Sequence, residues 1–484
     1  MSDSAAHLSI TELQRDYRSG KRTPVEALTD VIEAIEKKDP GVGAYLSLES
    51  GIALRDAENA DVTLPLGGIP IAVKDLINVK GQDCSCASKF LQSAYTSTYD
   101  ATVISRLRKA GAIPLGRTNM DEFAMGSSTE NSGIKLARNP WDTDRIPGGS
   151  SGGSAIAVAN DTAIAALGSD TGGSIRQPAS FCGRVGLKPT YGRVSRFGLV
   201  AFASSLDQIG PITKTSEDAA LMLSIISGDD PLDSTSLKDE VPDYLNELNG
   251  NIKGLRIGLP AEYFTHGIDP GVRQCVEDAV GQLEKLGAEV IEVSLPHTEY
   301  AIATYYIIAT AEASANLARF DGVRYGNRAP DPEDIIEHYR RSRAAGFGEE
   351  VKRRIILGTY VLSSGYNDAY YVRAQKVRTL IRQDFTAAFE QADVLVSPTA
   401  PTPAFKIGEK SGDPLQMYLA DIFTIAANLA GICGASTPCG LVESDSGTQL
   451  PVGLQVLGPP LGEGTVLRVT DAFEKTTNWH RRPC

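Results

Sequence analysis

Two short segments rich in glycine and serine lie close together in the first half of the chain. Residues 147–155 read PGGSSGGSA, and residues 168–178 read GSDTGGSIRQP. An apolar run adjoins each segment, at 155–159 and at 163–167, so the segments are expected to be tight loops beside a helix or strand, not flexible linkers. Loops on a rigid scaffold are where binding and catalytic groups concentrate. The stretch 147–178 is therefore the first candidate for a functional site.

On both sides of these loops, short apolar strand patterns alternate with helical patterns. The strand patterns fall at 69–73, 112–115, 255–259, 289–293 and 393–397, and the helical patterns at 102–110, 272–286 and 366–392. Such alternation predicts βαβ units and a largely parallel sheet. We expect one large α/β domain in which helices cover a central sheet.

The N-terminal region has a different pattern, because its helical signals are not interrupted by strand signals. Residues 9–12 (SITE) and 23–26 (TPVE) both fit the capping box, in which a hydroxyl and a glutamate satisfy the first free N–H groups of a helix. Asp39-Pro40 predicts the end of the second helix. We predict a helical segment over residues 1–60 that packs on the main domain.

Composition excludes several classes of protein. The net charge is −13, which argues against a chain that holds nucleic acid by itself, since phosphate binding favours a basic face. Seven scattered cysteines and a polar N-terminus predict reduced thiols in a cytoplasmic protein. No apolar run approaches the roughly 18 residues that a membrane helix needs.

The motifs of several common enzyme classes are missing from the sequence. None of the five histidines lies between residues 8 and 265, where the glycine- and serine-rich loops fall. No H-E-x-x-H pattern indicates a zinc hydrolase, and neither loop contains the lysine of a phosphate-binding P-loop. We therefore expect no metal and no nucleotide cofactor on this chain.

Serine chemistry driven by a lysine remains as a hypothesis. A serine hydroxyl becomes a useful nucleophile only when a base takes its proton, and a lysine can do so only if burial keeps it neutral. Lys74 ends the apolar strand 71–74, and Ser174 follows two glycines whose N–H groups can stabilise an oxyanion. Lys74 is equally compatible with a lysine that reaches solvent, and residues 170–174 with a plain turn. The residues alone leave both interpretations open.

Three segments taken together resolve the choice by resemblance. The segments 71–75 (IAVKD), 147–155 and 168–178, in this order, closely resemble the signature of the amidase signature family. The resemblance implies a triad in which Ser174 is the nucleophile, Ser150 is a bridging hydroxyl after a cis peptide bond, and Lys74 is the base. It also implies further site residues, namely a supporting Ser151 and an oxyanion hole formed by Thr171, Gly172 and Gly173.

The same resemblance implies the architecture of the chain. A member of this family has a single α/β/α domain with a mixed central sheet covered by helices. Carried over to this sequence, the domain covers residues 61–484, its catalytic core lies at about 65–215, and residues 1–60 form the helical N-terminal segment.

Four outer segments indicate one branch of the family, the subunits that supply ammonia to tRNA-dependent amidotransferases. The segments are 119–131, 319–325, 362–371 and 428–431. Resemblance to this branch implies glutamine as substrate, with Arg354 or its neighbour Arg353 for its carboxylate, Asp421 for its ammonium and Tyr305 as a wall of the pocket. It implies a heterotrimer with the B and C subunits of such an enzyme, in which the B subunit holds the tRNA and uses ATP and Mg²⁺.

Two alternatives remain at this point. The first is a stand-alone amidase that hydrolyses a small or aryl carboxamide without partners. The second is a scaffold that keeps the fold without activity, which the presence of all three triad residues disfavours. The sequence does not choose between Glu-tRNA(Gln) and Asp-tRNA(Asn) as the acceptor, because that choice belongs to the B subunit.

Overall fold

A computed structural model describes residues 4–264 and 267–479, and eleven strands within them form one sheet. In chain order the strands are β1 (Tyr45–Ser47), β2 (Pro70–Lys74), β3 (Ile113–Thr118), β4 (Ala165–Asp170), β5 (Val185–Lys188), β6 (Gln208–Thr213), β7 (Arg256–Pro260), β8 (Glu289–Val293), β9 (Val394–Pro398), β10 (Cys433–Glu443) and β11 (Gln449–Gly458). Their order across the sheet is β1-β3-β2-β4-β6-β5-β10-β11-β9-β7-β8.

The sheet is mixed, as the family resemblance implies. Parallel pairing is confined to β2 with β3 and β4, and to β7 with β8 and β9. The remaining neighbours are antiparallel. The prediction of a largely parallel sheet, made from the local alternation of strands and helices, is therefore wrong. Two neighbouring strands are parallel only when a crossover, usually a helix, carries the chain back to the same end of the sheet. A short turn joins β10 directly to β11, so these two strands are antiparallel.

Helices pack against this sheet and against one another. In chain order they are α1 (Ile10–Arg18), α2 (Pro24–Val42), α3 (Ser50–Glu58), α4 (Thr102–Lys109), α5 (Gly152–Ala159), α6 (Arg176–Cys182), α7 (Ser216–Ile226), α8 (Pro270–Lys285), α9 (Ala301–Asn316), α10 (Ile335–Gly346), α11 (Glu349–Leu362), α12 (Arg373–Gln391), α13 (Pro414–Tyr418), α14 (Ile425–Ala430) and α15 (Glu463–Thr476). One large apolar cluster joins α4, α5, α7, α8 and α15 to the sheet, and a second lies among α9, α12 and α14. The predicted α/β class with helices covering the sheet is confirmed.

The N-terminal region contains α1, α2 and α3, and both predicted capping boxes form. Asp218 on α7 accepts the N–H of Ile10 at 2.9 Å, so a buried carboxylate ties the start of α1 to the rest of the fold. Two details differ from expectation. Helix α2 continues through Pro40 and ends at Val42, and the φ of +70° at the following Gly43 suits a glycine cap. Strand β1 also falls within this region and pairs with β3.

Most of the remaining predicted elements are present, with boundaries that differ from the predicted ones by at most three residues. The predicted helix over 366–392 is the exception, since a π-helical turn at Asp368–Val372 precedes α12. Within the described residues, none of the helices combines the length and apolarity that crossing a membrane requires. His266 and His480 lie outside the described residues.

Candidate active site

The site forms where β2 and β4, two parallel neighbours, end at the same edge of the sheet. The register pairs Val73 with Leu167, so Lys74 at the end of β2 lies beside the last residues of β4. The loop after β4 carries residues 171–175, and the loop that precedes α5 carries Ser150 and Ser151. The two glycine- and serine-rich segments and the lysine strand therefore meet at one point.

Lys74 is completely buried and bonded to serine hydroxyls. Its Nζ lies 2.7 Å from Ser150 Oγ, 2.8 Å from Ser151 Oγ and 2.9 Å from Ser169 Oγ. Burial lowers the pKa of Lys74 to about 7, although nearby carboxylates oppose the shift. A lysine in this state is half neutral near pH 7, which is the condition for it to act as a base.

Ser150 follows a cis peptide bond, as the resemblance implies, and its neighbour must be glycine. The Gly149–Ser150 bond is cis, and the N–H of Gly149 donates to Gln177 Oε1 at 2.9 Å. A Cβ on Gly149 would stand 2.1 Å from a carboxylate oxygen of Asp121 and 2.7 Å from the backbone nitrogen of Ser128. Any side chain at position 149 would therefore displace the backbone that presents Ser150 to Lys74.

Ser174 lies on the loop between β4 and α6, beside Ser151. It is 8% exposed, and its carbonyl accepts the N–H of Ser151 at 3.2 Å. Two glycines precede it, and Gly173 has a φ of +136° that only glycine adopts without strain. The hydrogen bonds thus connect Lys74 to Ser150 through side chains and Ser151 to Ser174 through the backbone.

One backbone N–H group of the expected oxyanion hole is already hydrogen-bonded. The N–H of Gly173 donates to Asp170 Oδ1 at 2.8 Å, so that group already has a partner inside the loop. The other carboxylate oxygen of Asp170 accepts the N–H of Ile175 at 3.1 Å. Asp170 therefore shapes the turn by binding its backbone.

A buried ion pair holds this loop in place. Arg176 and Asp170 are fully buried and lie 3.0 Å apart, and Asn428 bonds to both side chains. Burial acts to raise the pKa of Asp170, but the Arg176 guanidinium outweighs it and holds the pKa below its usual range. Arg176 is thus the partner of a carboxylate, and it connects the loop of residues 171–175 to α14 through Asn428.

Tyr305 lies against the loop of residues 171–175. A Cβ added to Gly172 would stand 2.8 Å from Cζ of Tyr305, so the ring covers this glycine closely. The Thr424 hydroxyl donates to the Gly172 carbonyl at 2.6 Å and supports the loop from the other side. The position of Tyr305 is compatible with the pocket wall predicted from the sequence.

Arg354 and Asp421 are buried near the same loop. Arg354 Nε lies 2.7 Å from Glu350 Oε1, and its guanidinium carbon lies 5.2 Å from the ring centre of Tyr306. Burial opposes the charge of Arg354, but Tyr306 and Glu350 hold its pKa above the ordinary value. Burial raises the pKa of Asp421 to about 7, and Arg354 is among the groups that lower it. The two side chains therefore share one electrostatic environment.

Asp421 has one carboxylate oxygen without a partner. Oδ2 accepts a hydrogen bond from the Ser127 hydroxyl, whereas Oδ1 is buried and has no hydrogen-bond partner among the described residues. An unsatisfied buried carboxylate oxygen is unfavourable unless a ligand supplies a donor. A cationic ligand group would satisfy it.

Sequence reasoning missed several side chains that support the site, among them Ser169, Ser127 and Glu350. Ser169 lies inside the segment 168–178, so its presence in that segment was the available signal. Ser127 reaches Asp421 across 294 positions of the chain, and no local pattern indicates such a contact. Glu350 lies four residues before Arg354 on α11, a spacing that places acid and base on one helix face.

A buried lysine bonded to serine hydroxyls, at the edge of a mixed sheet covered by helices, is the arrangement of a serine–lysine hydrolase. Within that class, the Amidase family model matches residues 26–467, and the chain belongs to the amidase family.

Similar proteins support the same assignment. The chain is 60% identical to the A subunit of the Glutamyl-tRNA(Gln) amidotransferase of Methylacidiphilum infernorum, over 98% of this chain and 95% of that protein. It is 55% identical to the protein of the same name from Geotalea daltonii, over 98% of each. Among solved structures, the A subunit of the Glutamyl-tRNA(Gln) amidotransferase of Thermotoga maritima is 44% identical, with a TM-score of 0.81 over 99% of this chain and 96% of that one.

Proposed function

We propose that this chain hydrolyses the side-chain amide of glutamine through a Ser174–Ser150–Lys74 relay and supplies the ammonia to a tRNA-dependent amidotransferase. The observation that carries the proposal is the completely buried Lys74, whose Nζ lies 2.7 Å from Ser150 Oγ. The names of the similar proteins support the same activity over nearly the full length of the chain.

The first half of the proposed reaction forms an acyl-enzyme. Neutral Lys74 takes the proton of Ser150 while Ser150 takes that of Ser174, and Ser174 Oγ attacks the carboxamide carbon. The N–H groups of Thr171 and Gly172 then stabilise the negative oxygen of the tetrahedral intermediate. When the intermediate collapses, the C–N bond breaks and the relay returns the proton to the leaving nitrogen, which departs as ammonia.

The second half regenerates the enzyme. Water attacks the glutamyl ester of Ser174 and gives up a proton to the same relay, and the ester oxygen takes that proton back as glutamate leaves. Ser151 and Ser169 keep the Lys74 ammonium oriented between transfers, because their hydroxyls lie within 2.9 Å of Nζ. The chemistry requires only hydroxyl and amine groups, so it uses no cofactor on this chain.

Glutamine is recognised in this proposal by two buried charges. The guanidinium of Arg354 binds the α-carboxylate, since arginine offers paired donors to a carboxylate. The free Oδ1 of Asp421 accepts the α-ammonium, which would satisfy an oxygen that otherwise has no partner among the described residues. Tyr305, packed on Gly172, forms the wall along which the apolar stem of glutamine lies.

The remaining parts of the reaction belong to partners. In the proposal, the B subunit of the amidotransferase holds the aminoacyl-tRNA and activates it with ATP and Mg²⁺, and the C subunit joins them to complete a heterotrimer in the cytoplasm. The net charge of −13 agrees with this division of labour, because a chain that leaves the tRNA to a partner needs no basic face.

The test is transfer of ¹⁵N from amide-labelled glutamine into Glu-tRNA(Gln), measured with and without the B and C subunits, ATP and Mg²⁺. We expect labelled Gln-tRNA(Gln) only when the partners are present. Running the assay in parallel with Asp-tRNA(Asn) identifies the acceptor. Brisk hydrolysis of small amides without partners, together with no transfer of label to either tRNA, would instead identify a stand-alone amidase.

Asp421→Asn tests the proposed pocket. Removing the carboxylate charge is expected to raise the KM for glutamine about 10- to 100-fold, because the ammonium loses a charged partner, with a smaller effect on kcat. Steady-state hydrolysis of glutamine measures both constants. Asp384→Asn is the matched control, since Asp384 is also 8% exposed but pairs with His297 at 2.8 Å. A lower kcat with an unchanged KM would contradict the assignment of Asp421 to the ammonium.

A further inference from the structure

Asp121 is a fully buried carboxylate that touches the bridging serine from its backbone side. It follows β3, and its N–H donates to the carbonyl of Ser150 at 3.2 Å. One of its carboxylate oxygens occupies the space beside Gly149, 2.1 Å from where a Cβ would stand. Asp121 therefore contacts the backbone of Ser150, and the side-chain Oγ of the same residue lies beside Lys74.

The Asp121 carboxylate is held by backbone groups of one loop. Oδ2 accepts the N–H of Thr129 at 2.9 Å, and Oδ1 accepts the N–H of Asn131 at 3.1 Å. The same loop contains Ser127, which binds Asp421, and its Thr129 hydroxyl donates to the Gly148 carbonyl at 2.7 Å. Asp121 thus ties residues 148–151, the cis-serine loop, to residues 127–131, the loop beside the proposed ammonium site.

Four titratable groups act on the Lys74 ammonium: Asp121, Asp170, Asp207 and the Cys86 thiol. Arg176 neutralises Asp170 at 3.0 Å. Asp207 accepts hydrogen bonds from Thr171 and from the backbone of residues 202–203, and Arg196 acts on its charge.

Asp121 differs from the other two carboxylates, because within the described part of the chain its hydrogen bonds come only from backbone N–H groups. Burial raises its pKa to about 6, and the charges that act on it are Lys74 and Glu130. Burial is also the main cause that lowers the pKa of Lys74, and Asp121 is the foremost charge that opposes it. After the N–H groups of Thr129 and Asn131, Lys74 is the foremost group that stabilises the Asp121 carboxylate.

We propose that Asp121 is a positioning residue that holds the cis-serine loop and supplies the counter-charge of Lys74, and so sets the lowest pH at which the relay works. The inference rests on the proposed relay, and it adds a fourth group that touches neither substrate nor the reacting atoms. An unpaired ammonium in this buried position would lose its proton more easily, so Asp121 keeps Lys74 able to hold a proton between the two transfers of each half-reaction.

The test uses a fluorophosphonate probe, which reports the reactivity of Ser174 without glutamine or partner proteins. Ser174 Oγ forms a bond to phosphorus, the P–F bond breaks, fluoride leaves and the serine proton passes to the relay. The rate of labelling is measured from pH 5 to pH 10 in the intact chain. We expect wild-type labelling to rise through a midpoint near the pKa of Lys74, about 7.

In Asp121→Asn that midpoint is expected to fall by about one pH unit, because loss of the negative charge favours neutral Lys74. Thr129→Val is the control, since it removes a hydroxyl from the same loop without changing charge. It should lower the plateau rate and leave the midpoint in place. If Asp121→Asn does not fold, Asp121→Ser removes the same charge with a smaller side chain.

The outcomes distinguish a failure of the role inferred for Asp121 from a failure of the proposed relay. A midpoint that stays at the wild-type value in the folded Asp121 variant overturns the counter-charge role, whatever happens to the plateau. Absence of labelling at Ser174 in the wild-type chain would overturn the relay itself. A lower midpoint in Asp121→Asn alone, with Thr129→Val unshifted, supports the inference, because a merely structural residue would not move the midpoint.

Discussion

Replacing Ser174 with alanine is expected to lower glutamine hydrolysis by roughly 10⁴- to 10⁶-fold, the scale typical for loss of a nucleophile that acts within a catalytic unit. Ser174 is only 8% exposed, but the change removes a single oxygen atom and adds none, so the fold should tolerate it. The KM for glutamine should change little, since Arg354 and Asp421 remain. Release of ammonia from glutamine measures the effect.

Ser154→Ala is the matched control for this experiment. Ser154 lies on α5, is fully buried and donates to the Leu167 carbonyl at 2.9 Å, outside the proposed relay. The same chemical change at this position should leave hydrolysis within a few-fold of wild type. Comparable losses in the two variants would indicate a packing effect and would remove the nucleophile assignment from Ser174.

The sequence predicts the elements near the site better than the sheet as a whole. Lys74 ends an apolar strand and both capping boxes follow local rules, so local pattern was sufficient for them. Strands β10 and β11 escaped prediction because they contain glycine, proline and polar residues that local rules assign to turns. Their antiparallel pairing across ten positions stabilises them, and such pairing is not visible in a local window.

The site shows the same contrast between residues that local sequence predicts and residues that come from distant parts of the chain. The segments 71–75, 147–155 and 168–178 carry the relay, and their resemblance to one family predicted which residues meet. The side chains that support the relay come from distant parts of the chain: Asn428 reaches Asp170 across 258 positions. The carboxylate acceptor for the Gly173 N–H was equally hidden, because a glycine N–H that faces an oxyanion and one that binds Asp170 look identical in sequence. Geometry alone distinguishes them.

Lys74→Arg is expected to lower hydrolysis by about 10²- to 10⁴-fold or more at every pH between 6 and 10. Arginine keeps the positive charge but does not lose its proton in this range, so it cannot accept one from Ser150. The wild-type rate, by contrast, should rise with pH through about 7, because the neutral fraction of Lys74 grows as pH passes its pKa. Full pH profiles of ammonia release measure both effects.

Lys188→Arg is the control, because it makes the same change at another completely buried lysine. Burial lowers the pKa of Lys188 to about 8, but its Nζ donates to the carbonyls of Pro189 and Ile432 and contacts no serine hydroxyl among the described residues. This variant should lose thermal stability and keep the wild-type pH midpoint. An active Lys74→Arg enzyme would mean that the lysine serves as a fixed charge and is not the base of the relay.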